Sequence, residues 1–222
     1  MTKRQISLEE EQRVRIANLI LRLRRVGVTD ARVVHAIEAI PRELFVPAEW
    51  RAEAYAERAL PIECGQSISA PVIVAMMTAA LAVEPQDRVL EIGTGTGYQT
   101  AVLARLAAHV FTVDRYRTLV AAAESRFKTL RLTNITARVG DGTDGWPERA
   151  PFDRIVVTAA ADDVPQALTE QVRIGGVLVM PVGPVDDVQK LMRLERTERG
   201  FSETPLADVR FVPLIPGVAE KL

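Results

Sequence analysis

From Arg88 onward the hydrophobic and polar positions alternate in blocks. Short apolar runs at Arg88–Ile92, Val110–Val113, Ala137–Val139, Asp153–Thr158 and Val177–Pro181 read as buried parallel strands. Between them, one-sided segments at Gln99–Ala107, Arg117–Leu130 and Val164–Gln171 read as helices. Strands and helices in alternation predict an α/β chain with a doubly wound, mainly parallel sheet. Gly175-Gly176 reads as the stop of the last of these helices. The alternation then breaks. Gln189–Arg196 and Leu206–Leu214, joined through Glu198-Arg-Gly200, read as an antiparallel hairpin that ends the sheet.

Upstream of Arg88 the pattern is helical. Ser7–Val26 carries an apolar stripe of Val14, Ile16, Leu19, Ile20 and Leu23 between arginines, opened by a Ser7-x-x-Glu10 capping box. The arginines read as a solvated face. A second helix spans Asp30–Ile40 with Val33, Val34 and Ile37 inward, and Pro41 stops it. His35 within it reads as a partly buried packing residue. Pro41-Arg-Glu-Leu-Phe-Val-Pro47 reads as a loop pinned against the domain, Tyr55–Leu60 as a short helix or irregular, and Pro61–Pro71 as loop. A third helix follows over Ala70–Leu81, with Pro71 in its first turn.

Where the first core strand meets its helix, the chain reads Val89-Leu-Glu-Ile-Gly-Thr-Gly-Thr-Gly-Tyr98. Strand, glycine turn and helix let a backbone approach a nucleotide-like ligand where a Cβ would stand in the way. The spacing is G-x-G-x-G. It differs from the G-x-G-x-x-G of dinucleotide proteins, which would place glycine or alanine where Tyr98 stands, and no Lys-Ser/Thr follows to make a phosphate loop. No cluster of Lys or Arg waits for a pyrophosphate. The match is a nucleoside ligand without phosphates, such as S-adenosylmethionine.

Composition narrows the classes. Net charge is −1 in 222 residues, which gives no electrostatic case for nucleic acid or an anionic membrane. The single cysteine, Cys64, excludes an internal disulfide, has no metal-spaced partner and fits a reducing compartment. The charged N-terminus does not resemble a signal peptide, and the longest apolar run, Ala70–Val83, is too short to span a bilayer. These features lead us to expect a cytoplasmic protein with no bound metal.

Four side chains are candidates for the chemistry. Asp114 ends the second core strand, about 20 residues after the glycine turn, the offset at which a carboxylate accepts from ribose hydroxyls. Capping of the next helix is its competing role, and the glycine turn in register before it favours the ribose. Asp141, in Gly140-Asp-Gly142, either accepts from an adenine amino group or satisfies its own backbone as a turn residue. Glu91 either holds the ammonium of a methionine moiety or is a strand-end charge. Ser69, at a helix start, either clamps a carboxylate beside exposed amides or caps its own helix. With only His35 and His109 in the chain, no Ser-His-Asp arrangement makes Ser69 a nucleophile. Trp50 and Trp146 read as packing residues.

Gln66-Ser-Ile-Ser-Ala-Pro71, the glycine turn, Gly140-Asp-Gly142, Ala150-Pro-Phe-Asp-Arg-Ile-Val-Val-Thr-Ala159 and Gly175-Gly-Val-Leu-Val-Met-Pro-Val-Gly183 occur in the order seen in protein-L-isoaspartate O-methyltransferases. Pro41–Pro47 near the front and Val209-Arg-Phe-Val-Pro-Leu214, which looks like that family's closing strand, extend the resemblance over nearly the whole chain. The resemblance implies one methyltransferase domain over 1–222: a helical and substrate-loop segment at 1–70, a cofactor-binding core at 71–185 and the hairpin at 186–222. It implies S-adenosyl-L-methionine as methyl donor, S-adenosyl-L-homocysteine as product, and isoaspartyl proteins and peptides as partners, acted on by a monomer that binds neither nucleic acid nor membrane. It makes Ser69 the catalytic residue. To the cofactor it assigns Ser67, Ile68, Glu91, Gly93, Thr94, Gly95, Gly97, Asp114, Asp141 and Gly142. Two departures stand out. Glu63 occupies a position where the family often has glycine, and Val72 and Val74 stand where some members carry histidine.

The rival classes are another S-adenosylmethionine-dependent methyltransferase, a nicotinamide-linked oxidoreductase and a non-catalytic binding module. Thr158-Ala-Ala-Ala161 after the fourth core strand, in place of an Asn-Pro-Pro-Tyr-type segment, argues against base methylation.

Overall fold

The computed structural model describes residues 8–220, so Ser7 and its part in the capping box lie outside the described residues. Two helices open the chain, α1 (Leu8–Arg25) and α2 (Ala31–Ala39). Asp30 caps α2, its carboxylate accepting from Arg32 N at 2.8 Å. A two-stranded antiparallel ribbon, β1 (Leu60–Pro61) with β2 (Ser67–Ile68), leads to α3 (Pro71–Leu81). Then come β3 (Arg88–Ile92), α4 (Tyr98–Ala104), β4 (His109–Asp114), α5 (Arg117–Thr129), β5 (Ile135–Val139), β6 (Phe152–Val157), α6 (Gln166–Gln171), β7 (Val172–Val182), β8 (Gln189–Thr197) and β9 (Gly200–Val209).

The main sheet runs β5-β4-β3-β6-β7-β8-β9. Its first five strands are parallel, and β8 and β9 add antiparallel at the end. The α/β architecture with a mainly parallel sheet is therefore as expected. Side chains alternate between faces at period two. Leu90, Ile92, Phe111, Val113, Ile155, Val157, Leu178 and Met180 pack on one face with Trp146 and Leu168 of α6. Val89, Val110, Val156, Val177 and Val179 pack on the other with Met77 and Leu81 of α3 and Leu103 of α4. Because both faces are covered, the strands read as continuous apolar runs rather than alternating ones. The chain order reverses between β3 and β6, and the crevice at that switch point opens beyond the strands' carboxyl ends.

The sheet and helices correct several expectations. Val14, placed in the α1 stripe, is 56% exposed, while Leu19 and Leu23 are buried. His35 is exposed rather than partly buried, because the inward face of α2 is Val33, Ala36 and Ile37. Gly175-Gly176 does not close a helix. The helix ends at Gln171, and Val172 already pairs with Phe152, so the two glycines sit in an irregular stretch of β7 before Val177 pairs with Arg154. The hairpin's second strand is Gly200–Val209, not Leu206–Leu214. Register counts back from the turn, with Thr197 facing Gly200 and Gln189 facing Val209. Edge residues Ser202–Pro205 are exposed and carry no apolar signal, whereas 210–214 leave the sheet. The segment 61–71, expected as loop, contains three of the four residues of the β1–β2 ribbon. Both tryptophans do pack: Trp146 is buried edge-on to Phe111, and Trp50 lies under Arg58. Among the described residues, no helix is long and apolar enough to cross a membrane.

Candidate active site

The glycine turn leaves β3 at Ile92 and is latched on both sides. Gly93 N donates to Val113 O at 2.8 Å, and Gly95 N to a carboxylate oxygen of Asp114 at 2.8 Å. Thr158, at the end of β6, donates its hydroxyl to Gly93 O at 2.8 Å. Two of the glycines serve this packing. A Cβ on Gly93 (φ +94°) would stand 2.2 Å from Thr158 Oγ1, and one on Gly97 (φ +89°) 2.6 Å from the Phe127 ring of α5. Part of the glycine pattern is thus spent holding the turn against its neighbours.

A single cleft lies above this turn. It is lined by Ser67, Ile68 and Ser69 on one side, by Gly93, Thr94 and Gly95 at the floor, and by Asp114 and Gly142 toward β4 and β5. Eight of the eleven expected site residues therefore meet in one place. The other three, Glu91, Gly97 and Asp141, stand behind its walls.

Glu91 is fully buried beneath the turn and does not reach the cleft. One carboxylate oxygen accepts from Thr112 at 2.6 Å and from Thr100, and Thr112 shares a 2.7 Å hydrogen bond with Thr94, which does line the cleft. Burial pushes its carboxyl up to about 8, against the two threonine hydrogen bonds. The expected contact with a ligand ammonium is not available from this position, because the β3 side-chain alternation turns residue 91 toward α4.

Asp114 is nearly buried but lines the cleft. One oxygen accepts from Gly95 N and the other from Tyr116 N at 2.9 Å. The cap position of α5 is Tyr116, so Asp114 does not cap that helix; it joins the strand end to the glycine turn. Each oxygen keeps acceptor capacity for a ligand, and burial raises its carboxyl above the usual range.

Asp141 takes the turn-residue role. One oxygen accepts from Thr143 N and Oγ1 at 2.8 and 2.6 Å, and the other accepts from Gly217 N at 2.5 Å. Burial acts to raise its carboxyl, but these hydrogen bonds outweigh it and hold the group below its ordinary value. Asp141 therefore ties down the C-terminal segment. That segment forms part of the cleft wall: Val212, Pro213, Leu214 and Ile215 line it, Ala160 N donates to Val212 O at 2.8 Å and Leu214 N to Ala160 O at 2.7 Å.

Ser69 lines the cleft one residue before the α3 cap position, which is Ala70, and makes no capping bond to that helix. Its carbonyl accepts from Arg42 Nη2 at 2.6 Å. Arg42 is fully buried, donates through Nε to Ala54 O at 2.6 Å and stacks 4.6 Å over the Tyr98 ring. Sequence reasoning missed Arg42, Tyr98, Thr158 and the 212–215 segment. The Pro41–Pro47 loop was the one available signal, since it was expected to be pinned. His109 bonds Thr136 within the sheet, and no group of His, Cys, Asp and Glu among the described residues could hold a metal ion.

The donor set of the cleft suits S-adenosylmethionine. Asp114 offers acceptors to a ribose, and Ile92, Leu119 and Leu214 offer apolar walls to a base. Among the lining residues only Arg115 is cationic, which leaves no cradle for phosphates.

The family model for protein-L-isoaspartate(D-aspartate) O-methyltransferase matches residues 14–219. The chain belongs to this family. A protein-L-isoaspartate O-methyltransferase of Maricaulis maris is 55% identical over 208 residues, covering 94% of this chain and 97% of its own length. One of Xanthobacter autotrophicus is 55% identical over 214 residues, covering 96% and 97%. A solved protein-L-isoaspartate O-methyltransferase superposes with a TM-score of 0.80 at 27% identity, over 89% of this chain and 65% of that one. A Plasmodium falciparum structure described as a putative member, in complex with S-adenosyl-L-homocysteine, shares the fold with a TM-score of 0.78 at 24% identity, over 92% and 98%. As a protein-L-isoaspartate O-methyltransferase the chain uses S-adenosylmethionine, and the cleft just described is the one place among the described residues where the residues assigned to that donor converge.

Proposed function

We propose that this chain repairs proteins by moving a methyl group from S-adenosyl-L-methionine to the free α-carboxylate of L-isoaspartyl residues in damaged proteins and peptides, leaving S-adenosyl-L-homocysteine. The carrying observation is that Asp114 and Ser69 face one cleft across the glycine turn. When bound, the donor supplies a methyl group on a sulfonium, already an effective leaving group. The nucleophile is the substrate's own carboxylate, ionised at neutral pH with a pKa of about 4, so no side chain must remove a proton. Asp114 accepts from the ribose hydroxyls, and Ser67, Ile68, Gly93, Thr94, Gly95 and Gly142 line the donor's bed. Gly97, Glu91 and Asp141 support that bed from behind. Ser69 donates its hydroxyl to the incoming carboxylate. The 212–215 segment covers the cleft and excludes water. Orientation and desolvation of this kind supply roughly 7–11 kcal/mol in well-aligned systems. The net charge of −1 gives no electrostatic support for nucleic acid or an anionic membrane as a partner.

Transfer of radiolabelled methyl to matched isoaspartyl and aspartyl peptides tests the reading. Label should enter the isoaspartyl peptide alone. Equal labelling, or none, would overturn it. Ser69→Ala should lower kcat about tenfold or more while changing the calorimetric Kd for S-adenosylhomocysteine by less than about twofold. The reverse split removes Ser69 from its role.

A further inference from the structure

Arg42 has no place in the chemistry above, yet it is among the most completely buried side chains among the described residues. A guanidinium taken out of water is costly unless its donors are well paired. Nε and Nη2 reach carbonyls at 2.6 Å, and the Tyr98 side chain beneath the guanidinium offsets part of the cost of burying it. A well-packed apolar residue would fill such a site at less cost. What Arg42 does is tie three segments together through one side chain. Nε holds the Ala54 carbonyl, Nη2 holds the Ser69 carbonyl, and its face rests on Tyr98, the first residue of α4 and the end of the glycine turn. Ser69 lies between the β1–β2 ribbon and α3, and its own side chain makes no cap bond that would fix it. The planar fork with a stackable face is specific to arginine; a lysine ammonium cannot reach both carbonyls and cover the ring together.

We propose that Arg42 is a positioning residue for methyl transfer. It sets the Ser69 hydroxyl against the glycine turn by gripping the Ser69 carbonyl while resting on Tyr98. It touches neither donor nor substrate. Its effect passes through Ser69, so the inference rests on the role given to Ser69 above. Placement errors of about 1 Å can cost about 100-fold in rate, which is the scale on which such a grip matters.

The test is a double-mutant cycle in kcat with Arg42→Lys and Ser69→Ala, with cofactor affinity read separately by calorimetry against S-adenosylhomocysteine. Arg42→Lys is expected to lower kcat about tenfold while the Kd moves less than about twofold. In the Ser69→Ala background the same change should move kcat less than twofold, because the group it positions is gone. Multiplying losses, an unchanged kcat in Arg42→Lys, or a Kd that worsens in step with kcat would each overturn the inference. If Arg42→Lys fails to fold, Arg42→Gln, which shortens the side chain and removes its charge, enters the same cycle with the same criteria. Should Ser69→Ala alone leave kcat unchanged, the role of Ser69 falls first. A slow Ser69→Ala with multiplying losses removes only the role of Arg42.

Discussion

Gly93, Thr94 and Asp114 stand on the ends of strands paired on both sides, whereas Ser69 and Leu214, across the same cleft, stand on segments the seven-stranded sheet does not carry. On the sheet rim each backbone position is set by ladder hydrogen bonds, by Thr158 and Asp114 latching the turn, and by core on both faces. On the covering rim side chains grip the backbone, beside a short backbone pairing with Ala160. Arg42 grips the Ser69 carbonyl, and Asp141 grips Gly217. The sheet rim is therefore held by many repeated bonds, while the covering rim is held by fewer and more scattered ones.

The comparison breaks most sharply at Gly93. Its φ of +94° and the 2.2 Å approach to Thr158 Oγ1 leave no room for a methyl group. Gly93→Ala should cost about 2–4 kcal/mol from backbone strain and overpacking, measured by urea unfolding, and should abolish S-adenosylhomocysteine binding. A variant that kept wild-type stability would mean that the sheet rim is no stiffer than the rim opposite.

How much of this could be read from the residues follows the same division. The strands β3, β4 and β6 and the glycine turn were legible, because buried parallel strands write themselves as apolar runs and a positive φ demands glycine. The offset of Asp114 from the glycine turn puts it at the cleft, where the structure has it. The place of Glu91 behind the cleft was not legible, because a residue at a strand end points to either side and nothing in the local pattern says that Thr100 and Thr112 wait on the buried side. Asp141 was legible as a turn residue, but its grip on Gly217 joins positions 76 apart. The Arg42–Ser69 and 212–215 arrangements were not legible for the same reason. Anchors from side chain to distant backbone have no period.

A second effect, spread over pH rather than lost at once, sharpens the description of the sheet rim. Glu91 ionises near 4.5 in the unfolded chain and near 8 when folded, chiefly because it is buried. Between those values the folded protein binds more protons, so stability falls as pH rises, by up to about 1.4 kcal/mol per pH unit. Asp114, also raised, adds a slope of the same sign. Glu91→Gln should therefore gain on the wild type steadily from pH 5 to pH 8 in urea unfolding. Parallel stability curves would show that Glu91 is solvated through the turn and that the rim is looser than its hydrogen bonds suggest.

The smallest effect belongs to the covering rim, at Asp141. Its carboxyl lies below its ordinary value, so the grip on Gly217 is fully present above about pH 4 and is lost only as pH falls through the depressed value. Removing the group by Asp141→Ala frees Gly217 N and Thr143 N and should cost about 1 kcal/mol of global stability. The local consequence should exceed the global one. With Gly217 released, residues 212–215 hold to the protein through Ala160 and through Ala219 on Arg115, and trypsin should cut after exposed Arg210 several-fold faster than in the wild type. S-adenosylhomocysteine should slow that cleavage in both proteins, because the segment lines the cleft it fills. Cleavage at the wild-type rate in Asp141→Ala would mean that the segment is held by its Ala160 pairing, as part of the sheet rim, and the distinction between the two rims would fail there.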